Sequence, residues 1–424
     1  YMRDYYQGTN PNADSVIYLY REWGPYALNF KLQRQFQFYG SRNLTEERLP
    51  GVEWRSSLQD LGHGLYGGFV MSADAFRKQW FASTGAPFTK DSLDYQRVDI
   101  HPSLEWPAHP APWLDITPRL ELRGTYYTKS QGTGGPDDYT GGAILRRYGV
   151  LGLDISGPRL YRNYGGGTLR HIIEPFVDFQ VVSADSRASK IPLLDQVDRV
   201  ALDQRTVTYG IRNRLYGTDH RLILDSELSQ TYSQNRDLSF FGPKSSPYSP
   251  VSLTLRTWPT EHLNADLRLR YNILSHQLDS KSLSASYSRG GNFARMTYLE
   301  SKAAVVDPSL ALDPAYDFTQ TTGLGLPATY SMLPATKEIQ FSAALSIWKK
   351  RISITPSIDR DLLTGDWRNQ HLFLWYNGSC YSLGLEAGRR QIGAFRDSEY
   401  RFMVRLKNVG TALDLHGSTG AYAQ

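Results

Sequence analysis

The sequence predicts an all-β protein, a large transmembrane antiparallel β-barrel with about 20 or more strands in this chain. Apolar and polar residues alternate with a period of two in segment after segment of the 424 residues. Mean hydropathy is −0.45, and no apolar run approaches the roughly 18 residues that a transmembrane helix needs. Aromatic residues make up 13% of the chain and cluster near the ends of the alternating segments. These features favour strands as the elements that cross the membrane.

The clearest alternation runs from Tyr26 to Phe38. Its even positions are tyrosine, leucine or phenylalanine up to Leu32, and its odd positions are mostly asparagine, lysine and glutamine. A period of two over about a dozen residues predicts a strand with one apolar and one polar face. The same pattern recurs in further segments, of which the clearest are Ile173–Val181, Val207–Leu215, Leu263–Ile273, Ile339–Ile347 and Tyr400–Leu406.

The alternation also predicts which side chains face lipid. Leu267 and Leu269 fall on the apolar face of their segment, so we expect them to face lipid, whereas Asp266 and Arg268 should face the lumen. The guanidinium groups on the polar faces suit phosphate, but ion pairs with the carboxylates on these faces are an interpretation that stays open. The polar side chains predicted to face the lumen are Glu174, Asp178, Arg212, Arg214, Asp266, Arg268 and Arg270.

The breaks between segments differ in length. Tyr216–Asp219 is a short break, whereas Ser130–Gly142 and Ser183–Arg205 are long ones. Outer-membrane barrels have short periplasmic turns and longer external loops, so this asymmetry is typical of them. Aromatic side chains at segment ends predict girdles at the two membrane interfaces. That set contains Tyr18, Tyr20, Trp23, Tyr26, Trp106, Trp113, Tyr126 and Tyr127.

A soluble β-sandwich and a β-solenoid are the alternative folds. A sandwich packs a core of Val, Ile and Leu, whereas the polar faces here carry Asp, Arg, Glu and Gln in nearly every segment. A solenoid needs a fixed repeat of about 20–50 residues, and the sequence has none. The membrane barrel is therefore the favoured prediction.

The sequence contains no catalytic or metal-binding motif. The formal net charge is +5 and the charges are interspersed, so no nucleic-acid partner is predicted. Nine histidines occur without metal-ligand spacing, and a single cysteine cannot form an internal disulfide. We therefore predict no enzymatic activity, no metal and no cofactor. Asp195, Asp198 and Asp203 in the long loop could hold a divalent cation, but a solvated loop is the favoured interpretation.

Seven segments form a recognisable series along the chain. In that order they resemble the LptD family, the outer-membrane lipopolysaccharide assembly proteins also called organic solvent tolerance proteins. The most recognisable segment is Val197–Leu215, in which Asp-Arg in a loop is followed by a strand that ends in Arg-Leu. The other six are Met2–Tyr6, Lys31–Phe38, Arg48–Val52, Arg97–Pro102, Thr168–Pro175 and Tyr376–Glu386.

The resemblance implies a function in transport. A member of this family would pass lipopolysaccharide through the lumen and a lateral seam of the barrel into the outer leaflet of a Gram-negative outer membrane. It also implies two protein partners, an LptE-like lipoprotein that plugs the lumen and a periplasmic bridge protein. Residues 1–424 would form the barrel domain, and the family's first strands and periplasmic jellyroll domain, on which the bridge protein docks, would precede residue 1. The number of strands in the complete barrel would then be in the mid-twenties.

The resemblance gives Cys380 a possible role. The family often has two adjacent cysteines in this late strand, whereas Ser379 precedes Cys380 here. The family's cysteines bond to the periplasmic domain, and the cell envelope is oxidising, so we expect an inter-domain disulfide at Cys380. A buried free thiol is the alternative.

Two other function classes stay open at this point. The first is a porin or a gated uptake receptor, and the second is an outer-membrane hydrolase with its active site at the barrel rim. The sequence upstream of residue 1 would discriminate between transport classes, because a jellyroll domain favours lipopolysaccharide assembly and a plug domain favours uptake.

Overall fold

The chain forms a large antiparallel β-barrel, as the alternation predicts. The computed structural model describes all residues except 1–11, 40–41, 83–86, 133–139, 186, 188–189, 193–196, 199–202, 219, 236–237, 242–243, 303, 307–330, 334, 349–350, 393–394, 407–409 and 423–424. Within this described part, the helical structure is a single turn of 3₁₀-helix at Gly165–Gly167, and no helix is long and apolar enough to span a membrane. The motif Met2–Tyr6 lies outside the described residues.

Strands occupy most of the described chain. The first thirteen are β1 (Asn12–Trp23), β2 (Tyr26–Tyr39), β3 (Arg42–Gly62), β4 (Leu65–Ala82), β5 (Pro87–Glu105), β6 (Ala108–Ala111), β7 (Leu114–Tyr127), β8 (Ile144–Ser156), β9 (Leu160–Tyr164), β10 (Leu169–Val182), β11 (Gln204–Tyr216), β12 (Leu222–Ser233) and β13 (Ser239–Phe241). The next are β14 (Lys244–Ser246), β15 (Val251–Thr257), β16 (Leu263–Asn272), β17 (Gln277–Arg289), β18 (Asn292–Ser301), β19 (Ala304–Val306), β20 (Ser331–Leu333), β21 (Thr336–Ile347), β22 (Ile352–Asp361), β23 (Trp367–Asn377), β24 (Tyr381–Ile392), β25 (Phe395–Leu406) and β26 (Gly410–Tyr422).

Twenty-two of these strands form one sheet in which neighbours along the chain pair antiparallel. The short strands β6 and β9 lie end to end with β5 and β8, because they pair with the same partners, β7 and β10. Subtracting these two from the twenty-two leaves a wall twenty strands wide, which agrees with the number of alternating segments. Among the described residues, β1 pairs with β2 and β26 with β25, and no ladder joins β1 to β26.

The register gives the sheet two chemically different faces, because directly paired residues lie on the same face. On β10, β11 and β12, for example, Glu174 pairs with Arg212, and Arg212 pairs with Glu227. We call the face that contains this row the polar face. The opposite, apolar face carries large exposed hydrophobic side chains, among them Val98, Ile100, Leu122, Leu151, Leu283 and Leu385. Exposed apolar groups over a whole face are expected of a sheet whose surroundings are lipid.

The two ends of the sheet differ in their connections. Four long connections, 128–143, 183–203, 234–250 and 302–335, lie at one end, which we call the long-loop end. At the opposite, short-turn end, β17 and β18 are joined by Gly290 and Gly291, both with positive φ (59° and 87°). A two-residue turn with two positive φ values matches the twist of the strands, and glycine adopts it without steric cost.

Several of the predicted girdle aromatics lie at the short-turn end. Trp106 and Trp113 flank β6 and are 53% and 50% exposed, and the rings of Trp23 and Tyr26 lie 6.4 Å apart across the first turn. The prediction is wrong for Tyr127, which is fully buried on the polar face. Alternation explains the difference, since Tyr126 and Tyr127 are adjacent and must point to opposite faces. Tyr18 and Tyr20 lie within β1 and not at its ends.

A cluster of buried apolar residues also lies on the polar face. Phe76, Tyr95, Tyr127 and Ile144 from β4, β5, β7 and β8 form a cluster with Ile191 of the connection 183–203. This loop therefore folds back and packs on the polar face, so that four strands of the wall are covered on this side.

Candidate functional site

A group of buried charged side chains lies where the connection 183–203 meets the wall. Arg97 and Arg146 are each 1% exposed, and Thr125 and Tyr127 are fully buried. Charged groups with so little access to water need hydrogen-bonding partners of opposite charge. We call the following residues the buried polar cluster: Asp74, Arg97, Asp99, Arg123, Thr125, Tyr127, Arg146 and Asp198.

The register of β4, β5, β7 and β8 assembles the wall side of this cluster. Arg97 pairs directly with Asp74 and with Tyr127 on its two neighbouring strands. Thr125 likewise pairs with Asp99 and Arg146. Opposite charges at directly paired positions lie close enough for their side chains to bond. The strand pairing alone therefore brings these groups together on one patch of the polar face.

The loop contributes a carboxylate to this patch. Arg97 Nη1 donates a hydrogen bond of 3.0 Å to Asp198 Oδ1, and the Tyr127 hydroxyl donates one of 2.8 Å to the same oxygen. The side chain of Asp198 is fully buried. Arg97 uses its other terminal nitrogen, Nη2, to bond Asp74 Oδ2 at 2.9 Å. One guanidinium thus bridges a strand carboxylate and a loop carboxylate.

Arg146 holds the backbone of the same loop segment. It donates to the carbonyl oxygens of Val197 at 2.7 Å and Asp198 at 3.1 Å. A third hydrogen bond, of 3.1 Å, goes to Thr125 Oγ1. The guanidinium also lies 5.4 Å from the ring centre of Tyr148, within the range of a cation–π contact. Because Arg146 donates to both, the carbonyl groups of Val197 and Asp198 are hydrogen-bonded although water is excluded.

A second carboxylate completes the charge balance. Asp99 accepts hydrogen bonds from Arg123 Nε and Nη2, both at 2.9 Å, and from Thr125 Oγ1 at 2.6 Å. The guanidinium groups of Arg97 and Arg146, which are buried, and of Arg123, which is half-buried, are matched by the carboxylates of Asp74, Asp99 and Asp198. Arg48, which is partly exposed, lies 3.5 Å from Asp74 at the edge of the cluster.

Further contacts anchor the start of the loop. Ser183 and Gly149 form two hydrogen bonds with each other, both of 2.9 Å. The Asp185 carboxylate accepts hydrogen bonds from the backbone N–H groups of Arg147 and Arg187, at 2.8 and 3.0 Å. Burial acts to raise the pKa of Asp185, but the hydrogen bonds from these two N–H groups and the contact with the Arg187 guanidinium together outweigh it, so this pKa lies below its usual value.

The arrangement is built to hold a loop and not to do chemistry on a substrate. Each buried charge in it is already bonded, and removal of one partner from such a network is costly because an opposite charge is left buried. Among the described residues, no three His, Cys, Asp or Glu side chains are grouped to hold a metal ion.

The favoured interpretation of the loop aspartates is therefore wrong for Asp198. Solvation was expected, but the carboxylate is buried against Arg97 and Tyr127. Asp203 adopts a positive φ of 53° at the end of the loop, and Asp195 lies outside the described residues. Sequence reasoning also missed Arg97, Tyr127 and Arg146 as site residues. A signal was present, because Arg97 and Asp198 each belong to a segment that carries the family resemblance.

The register brings all seven residues that were predicted to face the lumen to the polar face, away from the buried polar cluster. Glu174 accepts a hydrogen bond of 2.6 Å from Arg159 and lies 3.9 Å from Arg212. Asp178 is bonded at 2.8 Å by Arg119, a partner that the sequence did not suggest. Their exposure to a lumen or a substrate stays a prediction. Paired positions fix the face of five of these residues, through the rows Glu174–Arg212–Glu227, Arg214–Asp225–Arg256–Asp266 and Thr254–Arg268. Asp178 lies four residues from Glu174, and Arg270 lies two residues from Arg268. Residues an even number of positions apart on a strand share a face, so these two also lie on the polar face.

Ion pairing explains much of this set. Arg212 Nε bonds Glu227 at 3.0 Å, and Arg214 lies 3.9 Å from Asp225. Arg268 bonds Asp266 at 2.9 Å, yet the Arg268 side chain is still 60% exposed. Exposed ion pairs contribute little to stability, about 0–1 kcal/mol, so these guanidinium groups can exchange a carboxylate for another anion at low cost.

Cys380 lies at the short-turn end of the wall. It is exposed, with a free thiol, in the turn 378–380 that joins β23 to β24. Because β24 begins only at Tyr381, Cys380 belongs to the turn, and this position makes its sulfur accessible. The buried-thiol alternative is wrong.

Comparison with protein families gives a match over most of the chain. A family model described as LptD, LPS transport system D, matches residues 1–347, which is more than three quarters of the chain. No curated protein matches the chain.

Solved structures with a similar fold include outer-membrane receptors. The ferric preacinetobactin receptor BauA of Acinetobacter baumannii shares 9% identity at a TM-score of 0.37, over 97% of this chain and 78% of that one. A mutant of the ferric enterobactin receptor PfeA of Pseudomonas aeruginosa shares 10% identity at a TM-score of 0.43, over 96% of this chain and 71% of that one. The FrpB iron transporter of Neisseria meningitidis shares 10% identity at a TM-score of 0.42, over 96% of this chain and 75% of that one. At these values the likeness carries no argument about function.

Replacement of Asp198 should release the loop. In Asp198→Ala, Arg97 and Tyr127 lose a buried partner, and the network should be destabilised by about 3–5 kcal/mol. We expect purified full-length protein in detergent to be cut by trypsin at Arg187 or Lys190 much faster than the wild type. Asp178→Ala is the matched control, because it removes a polar-face carboxylate, 31% exposed, whose partner is Arg119 and not the loop. Equal protection of the loop in both variants would show that Asp198 does not hold it.

Proposed function

This chain belongs to the LptD family of lipopolysaccharide transport proteins, and from that premise we propose that it carries lipopolysaccharide across the outer membrane and inserts it into the outer leaflet. The protein is located in the outer membrane of a Gram-negative bacterium. The observation that carries the proposal is the family match over residues 1–347, and the two-faced wall provides the physical means.

The two faces of the wall suit the two parts of an amphiphile. Lipopolysaccharide has a sugar-phosphate portion that must stay hydrated and acyl chains that must reach the bilayer. A wall twenty strands wide would enclose a lumen that its own side chains cannot fill. The polar face would line this lumen, where partly exposed guanidinium groups such as that of Arg268 would meet phosphate.

The exit and the partners follow from the family. We propose that the acyl chains leave through a lateral seam between the first and last strands of the complete barrel. An LptE-like lipoprotein would fill part of the lumen, and a periplasmic bridge protein would deliver lipopolysaccharide to an upstream jellyroll domain. The buried polar cluster supports this arrangement, because it fixes Val197 and Asp198 of the connection 183–203 against one side of the wall.

Depletion of the full-length protein tests the proposed function. Surface lipopolysaccharide should fall, phospholipid should fill the outer leaflet, and large hydrophobic antibiotics should enter the cells. Whole-cell labelling of surface lipopolysaccharide, together with antibiotic susceptibility, measures this. Normal surface lipopolysaccharide with loss of uptake of one nutrient would instead assign the protein to the uptake receptors.

We further propose that Cys380 forms a disulfide with the upstream periplasmic domain of the full-length protein. The exposed turn at the short-turn end supports this, because short turns face the periplasm in outer-membrane barrels. Since Cys380 is the single cysteine of the chain, Cys380→Ser should block maturation, and Ser379→Ala is the matched control. Non-reducing electrophoresis of protein from cells should show a mobility that changes with reductant. Unchanged mobility with full alkylation of Cys380 in the native protein would overturn the proposal.

A further inference from the structure

A shallow groove of about 620 Å³ runs across the apolar face of β23, β24, β25 and β26. Its floor is made by two small residues, Ala387 and Gly417. Large hydrophobic side chains form its walls and are well exposed, with Leu372 at 47% and Tyr400 at 61%. The groove is therefore a depression in a surface that is otherwise filled by bulky side chains.

The strand register creates this depression. Leu372, Ala387, Tyr400 and Gly417 are successive partners in one row across the four strands. Large and small residues thus alternate along the row, and the next row, which includes Leu385, is large throughout. A Cβ atom added to Gly417 would meet no atom within 4 Å, so the space above this glycine is open.

The side chain of Arg389, a cation, lies near the groove on the same face. Arg389 is two residues from Ala387 along β24, about 7 Å of extended strand, in the direction of the long-loop end. It is exposed, and among the described residues it makes no hydrogen bond or ion pair. A long arginine side chain can extend from an apolar surface to the headgroup level of a bilayer, where an anion can meet the guanidinium.

A second cation at a similar height provides a contrast. Lys281 also lies on the apolar face, near the long-loop end of β17, and pairs directly with Leu269. Its ammonium group is neutralised by Glu300 at 2.8 Å. Arg389 has no such carboxylate among the described residues, so its guanidinium is open to an anion from outside the protein.

We propose that the groove and Arg389 form a binding site for the lipid portion of lipopolysaccharide on the outer wall of the barrel. An acyl chain lies in the groove over Ala387 and Gly417, and a phosphate of the same molecule meets Arg389. The occupant is an outer-leaflet lipid because Arg389 lies toward the long-loop end, which faces the cell exterior. The choice of lipopolysaccharide over another anionic lipid rests on the proposed function.

Photocrosslinking in a defined bilayer tests the site apart from transport. Purified full-length protein with a photoreactive residue at Leu415, in the groove wall, is placed in phosphatidylcholine nanodiscs. These contain either lipopolysaccharide or phosphatidylglycerol at equal phosphate. Leu415 should crosslink lipopolysaccharide strongly, and Leu267 on a distant part of the apolar face should not. Loss of the charged contact in Arg389→Gln should lower the crosslinking about tenfold.

Matched variants separate the site from general effects. Gly417→Leu with Ala387→Leu fills the groove and should abolish the crosslink, whereas Ala265→Leu on the apolar face of β16 and Lys281→Gln should leave it unchanged. Heat-modifiable mobility checks that each variant still forms a barrel. Equal crosslinking at Leu415 and Leu267, or crosslinking of phosphatidylglycerol alone, would overturn the site. If only the site is wrong, depletion of the protein still lowers surface lipopolysaccharide. If depletion leaves surface lipopolysaccharide normal while the crosslink is retained, the transport function is refuted and the site is not.

Discussion

The structure depends on one constraint, that every backbone N–H and C=O group in a bilayer must be hydrogen-bonded within the protein. Each such group left unpaired in hydrocarbon costs several kcal/mol. Neighbouring antiparallel strands meet this requirement between β1 and β26, while the outer edges of these two strands have no partner strand among the described residues. The same ladders fix the register, and the register separates the polar from the apolar face. The fold and the chemistry of its two surfaces therefore have a common origin.

A polar face that is not covered by a second sheet has to satisfy its own charges. Over most of the wall it does so with cross-strand ion pairs that stay in contact with water, as with Arg212 and Glu227. Under the connection 183–203 water is excluded, and there Arg97 and Arg146 bond both the wall and the loop. Arginine–carboxylate pairs that stay exposed can exchange their partners, whereas the buried ones hold the loop against the wall. In the proposed transport, the exposed pairs would therefore meet substrate and the buried ones would have a structural role.

The sequence predicted what depends on local pattern and failed where distant segments meet. Alternation alone located β16 and the face of Leu267, because side-chain direction in a strand depends only on position. It could not show that Tyr127 is buried while Tyr126 is exposed, since that depends on a loop some 70 residues later. The burial of Asp198 was missed for the same reason, and Arg389 stands out only once the register reveals an open groove beside it.

The central claim is that alternate residues of one strand face lipid and water, and a nitroxide scan of β16 tests it most directly. A spin label on a non-cysteine side chain, which leaves Cys380 native, is placed at each position from Leu263 to Asn272 in bilayers. Collisions with oxygen, which dissolves in lipid, should peak at Ala265, Leu267 and Leu269. Collisions with a water-soluble nickel chelate should peak at Asp266, Arg268 and Arg270. Accessibility without a period of two, or apolar positions shielded from both reagents as in a packed core, would contradict the account.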